Sequence, residues 1–536
     1  MYKIIKFLVL SSLIVSCARV GSPSGGAKDI TPPKFISSKP DTLATRVNPA
    51  IKEIVVNFDE YVLLKDIAQQ VIISPSPRIT PSITPLSTAR KYVTVRFFEP
   101  LLENTTYTIN FGSSIQDNNE GNKLDNFSFT FSTGDKIDSL QVNGNVKQSL
   151  KRELVEPIII SLYKVDKDKS GKDSINLKNK PYYISRVDSL GNFKLDHLHE
   201  GKFRLLAFND LNSNLIPDTE KEIIGFYPEY ISPGKDMRYD IVLSPAKEVY
   251  KVLGAEQDGQ GSIKVKLKGN PDKLSLTPID PSITSYKVQH QPFSDSLYFY
   301  FNSNEIKKTE KKFRVKLLLK NNQKADTINL LYDNTLKSDL ALSPVEKEIT
   351  PTSSYLTLKS SNFIKLIDKN KIEVSKNKQP IDFSSQIDSL NAKQLIIKFP
   401  VSYDTEYKVT LKDGACKDFL DQKNKDTLSY IIKTKRQNEF GNLKIQLKNK
   451  PSSKFFFQLL NEKYDILENI YGSEDTFTFQ NLNPGKYLIR ILVDENNNGV
   501  WDKADVDIFK PAEPTYLYPN MIDVRPLWNI NEVWIL

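Results

Sequence analysis

FKLDHLHEGKFRLLAFNDLNSN, Phe193 to Asn214, returns 284 residues later (477 − 193 and 494 − 210) as FTFQNLNPGKYLIRILVDENNN, Phe477 to Asn498. The match is ungapped. It pairs Phe193/Phe477, Leu198/Leu482, Gly201/Gly485, Lys202/Lys486, Phe203/Tyr487, Asp210/Asp494, Asn212/Asn496 and Asn214/Asn498, and reaches on to Asp218/Asp502. Repeats of this kind mark duplicated structural units, and by themselves argue only architecture. Apolar residues also alternate with polar ones almost throughout the chain: Ile54, Val56, Phe58; Tyr107, Ile109, Phe111; Ile263, Val265, Leu267; Phe313, Val315, Leu317; Tyr407, Val409, Leu411. Period two is the signature of strands with one buried face. The runs are short and bounded by Asn, Asp, Gly, Pro or Ser, and no long amphipathic helical pattern competes with them. With 28 Phe, 24 Tyr and 30 Pro, composition agrees. The fold class expected is all-β, as tandem β-sandwiches. A chain of 536 residues is too long for one core, and domains of about 100 residues are the natural division.

A looser repeat refines that division. Thr105 to Leu124 parallels Asp404 to Asn424: a Thr-x-Tyr pair opens a strand, an Asp follows ten or eleven residues after the Tyr, and a later strand closes on Thr133 or Thr434. A duplicated two-module unit with an insert between the copies accounts for both repeats. The expected modules are 31–136, 138–245, 246–345, 346–436 and 437–536, preceded by a signal peptide at 1–16 and a tether at 17–30.

Lys3 and Lys6 followed by the apolar run Phe7 to Val15 form a secretory signal, too short to span a bilayer, which takes roughly 20 residues. The run ends in LIVSC, Leu13 to Cys17, which resembles the lipobox of bacterial lipoproteins. That resemblance implies an acylated Cys17 and a membrane partner reached through acyl chains, enough of them for stable anchoring. Ala18 is not the Asp linked to inner-membrane retention, and no acidic run follows. The expected location is therefore the outer membrane, facing the periplasm. Cys416, the second of two cysteines, is left without a disulfide partner.

The stretches DITPPKFISSKP (Asp29 to Pro40), IVVNFDEYV (Ile54 to Val62), TYTINF (Thr106 to Phe111), IQDNNEGN (Ile115 to Asn122) and FTFSTG (Phe129 to Gly134) together resemble the bacterial Ig-like domain of the surface-layer type. GGAKDITPP resembles the segment after the lipidated cysteine in Bacteroidota-type envelope lipoproteins. The 346–436 copy lacks the Pro-Pro opening and the Ser-Thr-Gly ending. Gly201 with Phe203, and Gly485 with Tyr487, resemble the transthyretin-like or carboxypeptidase-regulatory-like sandwich, and the tail resembles calcium-binding B-type repeats of surface adhesins. These families imply spacers, scaffolds and binding modules, not catalysis.

DENNNGVWDKAD, Asp494 to Asp505, spaces oxygen ligands as a calcium loop does. Asp494, Asn496, Asn498, Asp502 and Asp505 occupy positions 1, 3, 5, 9 and 12, the Val500 carbonyl position 7, and Gly499 the bend. An Asx-rich hairpin turn is the plainer reading of the same residues, and calcium is the cofactor expected here. The upstream loop keeps Asp210, Asn212, Asn214 and Asp218, but has Leu215 at the bend and Lys221 at position 12, so Glu220 or Glu222 would have to swing in. Calcium and a simple turn fit it equally.

Signals for an enzyme are poor. His197 and His199 find no third zinc ligand at suitable spacing, and Cys416 lies without a histidine nearby. No nucleophile elbow or phosphate loop is present. Net charge is +9, but acids and bases are interleaved, and even the basic run Lys307–Lys312 is interrupted by Thr309 and Glu310; nucleic acid is not an expected partner. Trp528 and Trp534 near the C-terminus read as core aromatics of a last strand, with sugar stacking as the other use. The sequence thus points to a non-catalytic, lipid-anchored rod of β modules that scaffolds or docks a partner protein. The alternative is a carbohydrate-binding accessory lipoprotein of a glycan uptake or degradation system.

Overall fold

A computed structural model of the chain describes residues 28–536, apart from 235–236, 270–273, 291–293, 305, 307–309, 322–323, 337–338 and 347. The chain is built as tandem β-sandwiches. Among the described residues, helix is confined to Ile67–Gln70 and two single 3₁₀ turns. Five separate apolar cores, one per sandwich, collect the alternating residues. Ile54, Val56, Ile109, Val265, Val409 and Ile445 are all fully enclosed, because each strand turns every second side chain to the same face.

In the first module the long strand Glu53–Leu64 pairs with Arg90–Arg96, with Phe35–Lys39 and with Ile115–Asp117, facing a three-stranded sheet of Ile72–Ser74, Thr106–Asn110 and Ser128–Ser132. The fourth module reuses its hydrogen bonds. Tyr107 Oη accepts from the Leu102 amide at 2.8 Å and Tyr407 Oη from the Ser402 amide at 2.7 Å. Thr133 and Thr434 Oγ1 each accept from the amide of Thr105 or Thr405 (3.0 and 2.9 Å) and donate to the carbonyl of Leu102 or Ser402. Asp117 and Asp418, both buried, gather the amides of the turn that follows. The looser repeat in the sequence is thus a repeat of buried polar anchors.

The second and fifth modules share a different topology. In each, the first strand lies parallel to the last: Leu140–Gln148 beside Arg238–Pro245, and Gly441–Lys448 beside Asn529–Ile535. Seven of the second module's strands form one sheet, and a Val187–Phe193 bridge joins its ends around the core. The third module sets four strands, from Lys251–Gln257 to Ser296–Phe301, against three that include the hairpin Lys312–Lys320 and Ala325–Asp333.

The modules do not extend as a rod. A sixth apolar cluster joins the outer sheet face of the second module (Ile159, Leu206, Phe208, Ile224, Phe226) to Ala504, Val506, Phe509 and Ala512 of the fifth. The contact is reciprocal. Arg490, on the outer face of the fifth module, donates to the Leu150 carbonyl at 2.8 Å. Tyr464 accepts from the Arg152 amide at 3.1 Å and donates to Glu153 at 2.7 Å. The Lys247 amide donates to the Ala504 carbonyl at 2.7 Å, and its ammonium pairs with Asp505 at 2.9 Å. Between the other neighbours, Glu220 meets Lys251 and Lys268, Gln260 and Asp258 meet Asn362, Gln422 and Lys393, and Tyr403 and Lys435 meet Asn481 and Asn483. Modules two to five therefore close a circuit, with the first module attached to the second. The rod expectation fails because the outer faces of the duplicated sandwiches are themselves apolar, and apolar sheet faces of this size are covered in folded proteins.

Candidate functional site

The two oxygen-rich loops leave strands that end in a buried aspartate. Phe203–Asn209 runs into Asp210, and Gly485–Asp494 ends on Asp494. Asp494 Oδ1 accepts from the Asn498 amide at 3.0 Å, and Oδ2 from Gly499 at 2.8 Å and from the Tyr471 hydroxyl at 2.7 Å. Asp210 does the same with Asn214 (3.1 Å) and Leu215 (3.0 Å). Backbone angles repeat as well: φ is +55° at Asn497 and +57° at Ser213, then +82° at Gly499 and +63° at Leu215. Leu215 thus holds the left-handed bend that glycine makes freely, at a steric cost.

A second buried carboxylate closes each loop from beyond the repeated segment. Glu222 accepts from the amides of Leu211 (3.0 Å) and Asp218 (2.8 Å). Glu513 accepts from Glu495 and Asp502 (both 2.8 Å). Glu222 is one of the two residues foreseen to swing in; the other, Glu220, pairs instead with Lys251. Burial raises the Glu222 carboxyl above its usual range, and the charges of Asp210 and Asp218 push the same way against its two amide bonds. Glu513 gave no signal in the sequence because it sits 19 residues after Asp494 (513 − 494), against 12 for the earlier pair (222 − 210). The extra seven residues fall in the 503–510 segment that packs on the second module.

Asp505 is not in the loop's ligand position; it turns to Lys247. Asn496 Nδ2 donates to Asp502 Oδ2 at 2.7 Å, and the Val500 amide to Asn498 Oδ1 at 2.8 Å. Among the described residues no three His, Cys, Asp or Glu are gathered in an arrangement that holds a metal. Asp494 Oδ2 is taken up by Gly499 and Tyr471 and Glu513 Oε1 by Glu495 and Asn496, but Asp494 Oδ1 and Glu513 Oε2 each accept one amide and keep a second lone pair.

The remaining candidates resolve as structure. His197, at φ +59°, and its repeat partner Asn481, at +56°, occupy the same left-handed position, but His197 faces the opening residue of its own sandwich while Asn481 bonds across to the preceding module. His197 Nδ1 lies 3.1 Å from the Asp138 carbonyl, and Asn481 bonds Tyr403 and Thr352, each at 2.6 Å. Cys416 is enclosed in the fourth core, and burial pushes its thiol up to about 12. It is therefore protonated and inert at neutral pH. A maleimide at pH 8 should label Cys416 only after denaturant is added; labelling of the native chain at the same rate would contradict the enclosure. Trp534 is buried edge-on against Tyr518, while Trp528 is half-exposed beneath Arg525, 5.0 Å from its ring. Cys17 and residues 307–309 lie outside the described residues.

The set of anchors in the first module, Tyr107, Thr133 and the Asp117 turn, lies within a segment of known type. Residues 29–133 match the bacterial Ig-like domain family. The first module is that Ig-like domain, and the fourth repeats its anchors without being matched. No curated protein matches the chain. Solved structures similar to it include the S-layer protein rSbsC(31-844), at 11% identity over 71% of this chain and 64% of that one, with a TM-score of 0.18. The major pilin BcpA of Bacillus cereus is similar at 11% identity, 74% and 99% coverage and a TM-score of 0.13. The major pilin SpaD of Corynebacterium diphtheriae shows 10%, 74% and 96%, with a TM-score of 0.15. The chain spans under two thirds of that S-layer fragment, and scores of this size carry no argument about assembly.

Proposed function

We propose that the chain is a non-catalytic scaffold of the cell envelope, tethered through an acylated Cys17 to the outer membrane, that docks a partner protein. The observation that carries this reading is the closed circuit of four sandwiches, with the Ig-like module set between it and the N-terminal tether. A closed circuit fixes the relative placement of its faces, which a docking platform requires and a flexible string lacks. Preorganised surfaces bind with less ordering cost.

Gentle extraction of native membranes, affinity capture of the chain and mass spectrometry of the copurifying proteins test the reading. A defined, stoichiometric complex, with anchoring lost in Cys17→Ala, is expected. An uncomplexed chain retained on polysaccharide columns would replace this reading with the glycan-binding one.

Calcium at the Asp494 loop is part of the proposal, supported by the oxygen spacing of Asp494, Asn496, Asn498 and Asp502 and by Glu513 beside them. A ligand of the folded state stabilises it by mass action. Melting in millimolar calcium should exceed melting in chelator by several degrees; identical curves would reduce the loop to a hydrogen-bonded turn.

A further inference from the structure

A half-open cavity of about 150 Å³ lies at the junction between the Ig-like module and the second sandwich. Arg186 lines it from the edge strand Tyr183–Arg186, and its Nε is sealed from solvent with no acceptor in reach. No carboxylate pairs with Arg186 among the described residues. Burial lowers its tendency to hold a proton, against only the more distant charge of Asp210. A guanidinium stays charged in proteins, and in the half-buried Arg186 the enclosed Nε is left without an acceptor, which costs stability.

Ile72, Ile184 and Leu195 give the lining apolar patches, and several of the other residues carry donors. Ser74 Oγ already accepts the Ile184 amide at 3.1 Å, which leaves its proton free to be given. Asn110 Oδ1 accepts the Gly112 amide at 2.7 Å, leaving its Nδ2 protons. Thr108 and Thr130 hydroxyls share one hydrogen bond at 3.2 Å, so one proton of the pair is unspent. The carboxylate on the wall, Asp196, is neutralised by Lys194 at 3.0 Å. Spare donors around an unpaired, forked cation are the chemistry that recognises an oxyanion, to which guanidinium binds in a bidentate manner. Water takes roughly 30 Å³ of liquid volume per molecule, so the space holds one such group with a few waters.

We propose that this junction is a binding site for a single oxyanion group, held by Arg186 and the surrounding hydroxyl and amide donors, which pins the Ig-like module to the closed circuit. The group is a phosphate, sulfate or carboxylate, either free or carried on an anionic envelope saccharide. The site is independent of the scaffold reading and of the calcium loops.

Titration calorimetry on the full chain tests it, with sodium phosphate, sodium sulfate, glucuronate and a sulfated disaccharide, each against chloride at equal ionic strength. Saturable binding is expected, at least tenfold weaker in Arg186→Lys, which keeps the charge but not the fork, and absent in Arg186→Met. Tighter binding of inorganic anions assigns a free ion, and tighter binding of the saccharides assigns a glycan-borne group. Melting adds a control against misfolding. Sulfate and phosphate raise most melting temperatures by exclusion, so the excess of wild type over Arg186→Met is the readout. In chloride alone the Met variant should melt no lower than wild type, because it removes an unpaired charge. Heats indistinguishable from chloride for every probe, or equal binding by Arg186→Met, would overturn the proposal.

Discussion

Replacing residues 504–510 by a short Gly-Ser bridge, together with Arg490→Leu, opens the circuit, and the radius of gyration measured by X-ray scattering rises. The deleted segment supplies Ala504, Val506 and Phe509 to the inter-module cluster. The Phe509 ring meets Phe226 edge-on at 5.3 Å and lies 4.3 Å from the Arg204 guanidinium. Without it Leu206, Phe208, Ile224 and Phe226, all nearly inaccessible, lose their cover. Full burial of such a side chain is worth about 1.5–3 kcal/mol, so their joint exposure exceeds what a few surface ion pairs can hold, at about 0–1 kcal/mol each. Arg490→Leu then removes the bond to the Leu150 carbonyl on the reciprocal side, while keeping apolar bulk on the fifth module. The sandwiches themselves should survive: circular dichroism stays β-rich while the scattering profile lengthens. An unchanged radius of gyration would show that contacts outside these two patches hold the circuit closed.

That closure was the part of the fold the sequence hid. Alternation placed Ile54, Val56, Ile109 and Phe111 inside, and they are inside. The 284-residue repeat marked out two sandwiches that share the unusual parallel pairing of first and last strands. In Phe203–Asn209, however, every residue is buried, because one face looks into the module's own core and the other under the fifth module. A strand buried on both sides reads as a continuous apolar run, and periodicity cannot say which neighbour supplies the second cover. The docking segment was equally silent: 503–510 reads as a polar loop with one exposed isoleucine beside Phe509. The same insertion displaced Glu513 beyond the window in which a loop-closing carboxylate is sought. Arg186 gave no signal, since an arginine at a strand end is ordinary until its surroundings are known.

Asp494→Ala should cost about 3–5 kcal/mol, the range for breaking a buried, hydrogen-bonded charge. Its carboxylate is fully enclosed and gathers the Asn498 and Gly499 amides and the Tyr471 hydroxyl; alanine leaves all three without their acceptor, each at about 1–3 kcal/mol where burial persists. Asn496→Ala and Asp502→Ala touch more exposed groups and should cost about 1 kcal/mol or less. These variants separate the two readings of the loop. If calcium is bound, all three abolish the difference between melting in calcium and in chelator. If the loop is a hydrogen-bonded turn, there is no such difference in any of them, and stability alone ranks Asp494→Ala far below the others. Under either reading the damage should spread beyond the loop. Glu513 bonds the amides of Glu495 and Asp502, and its carbonyl accepts from the Trp501 indole at 2.9 Å, so the loop anchors both ends of the 503–510 segment. Loosening Asp494 therefore loosens the docking hairpin, and Asp494→Ala should also weaken the closure, seen as faster amide exchange at Leu206, Phe208 and Ile224 across the interface. Unaltered exchange there, in a variant whose fifth module is measurably destabilised, would uncouple the loop from the circuit.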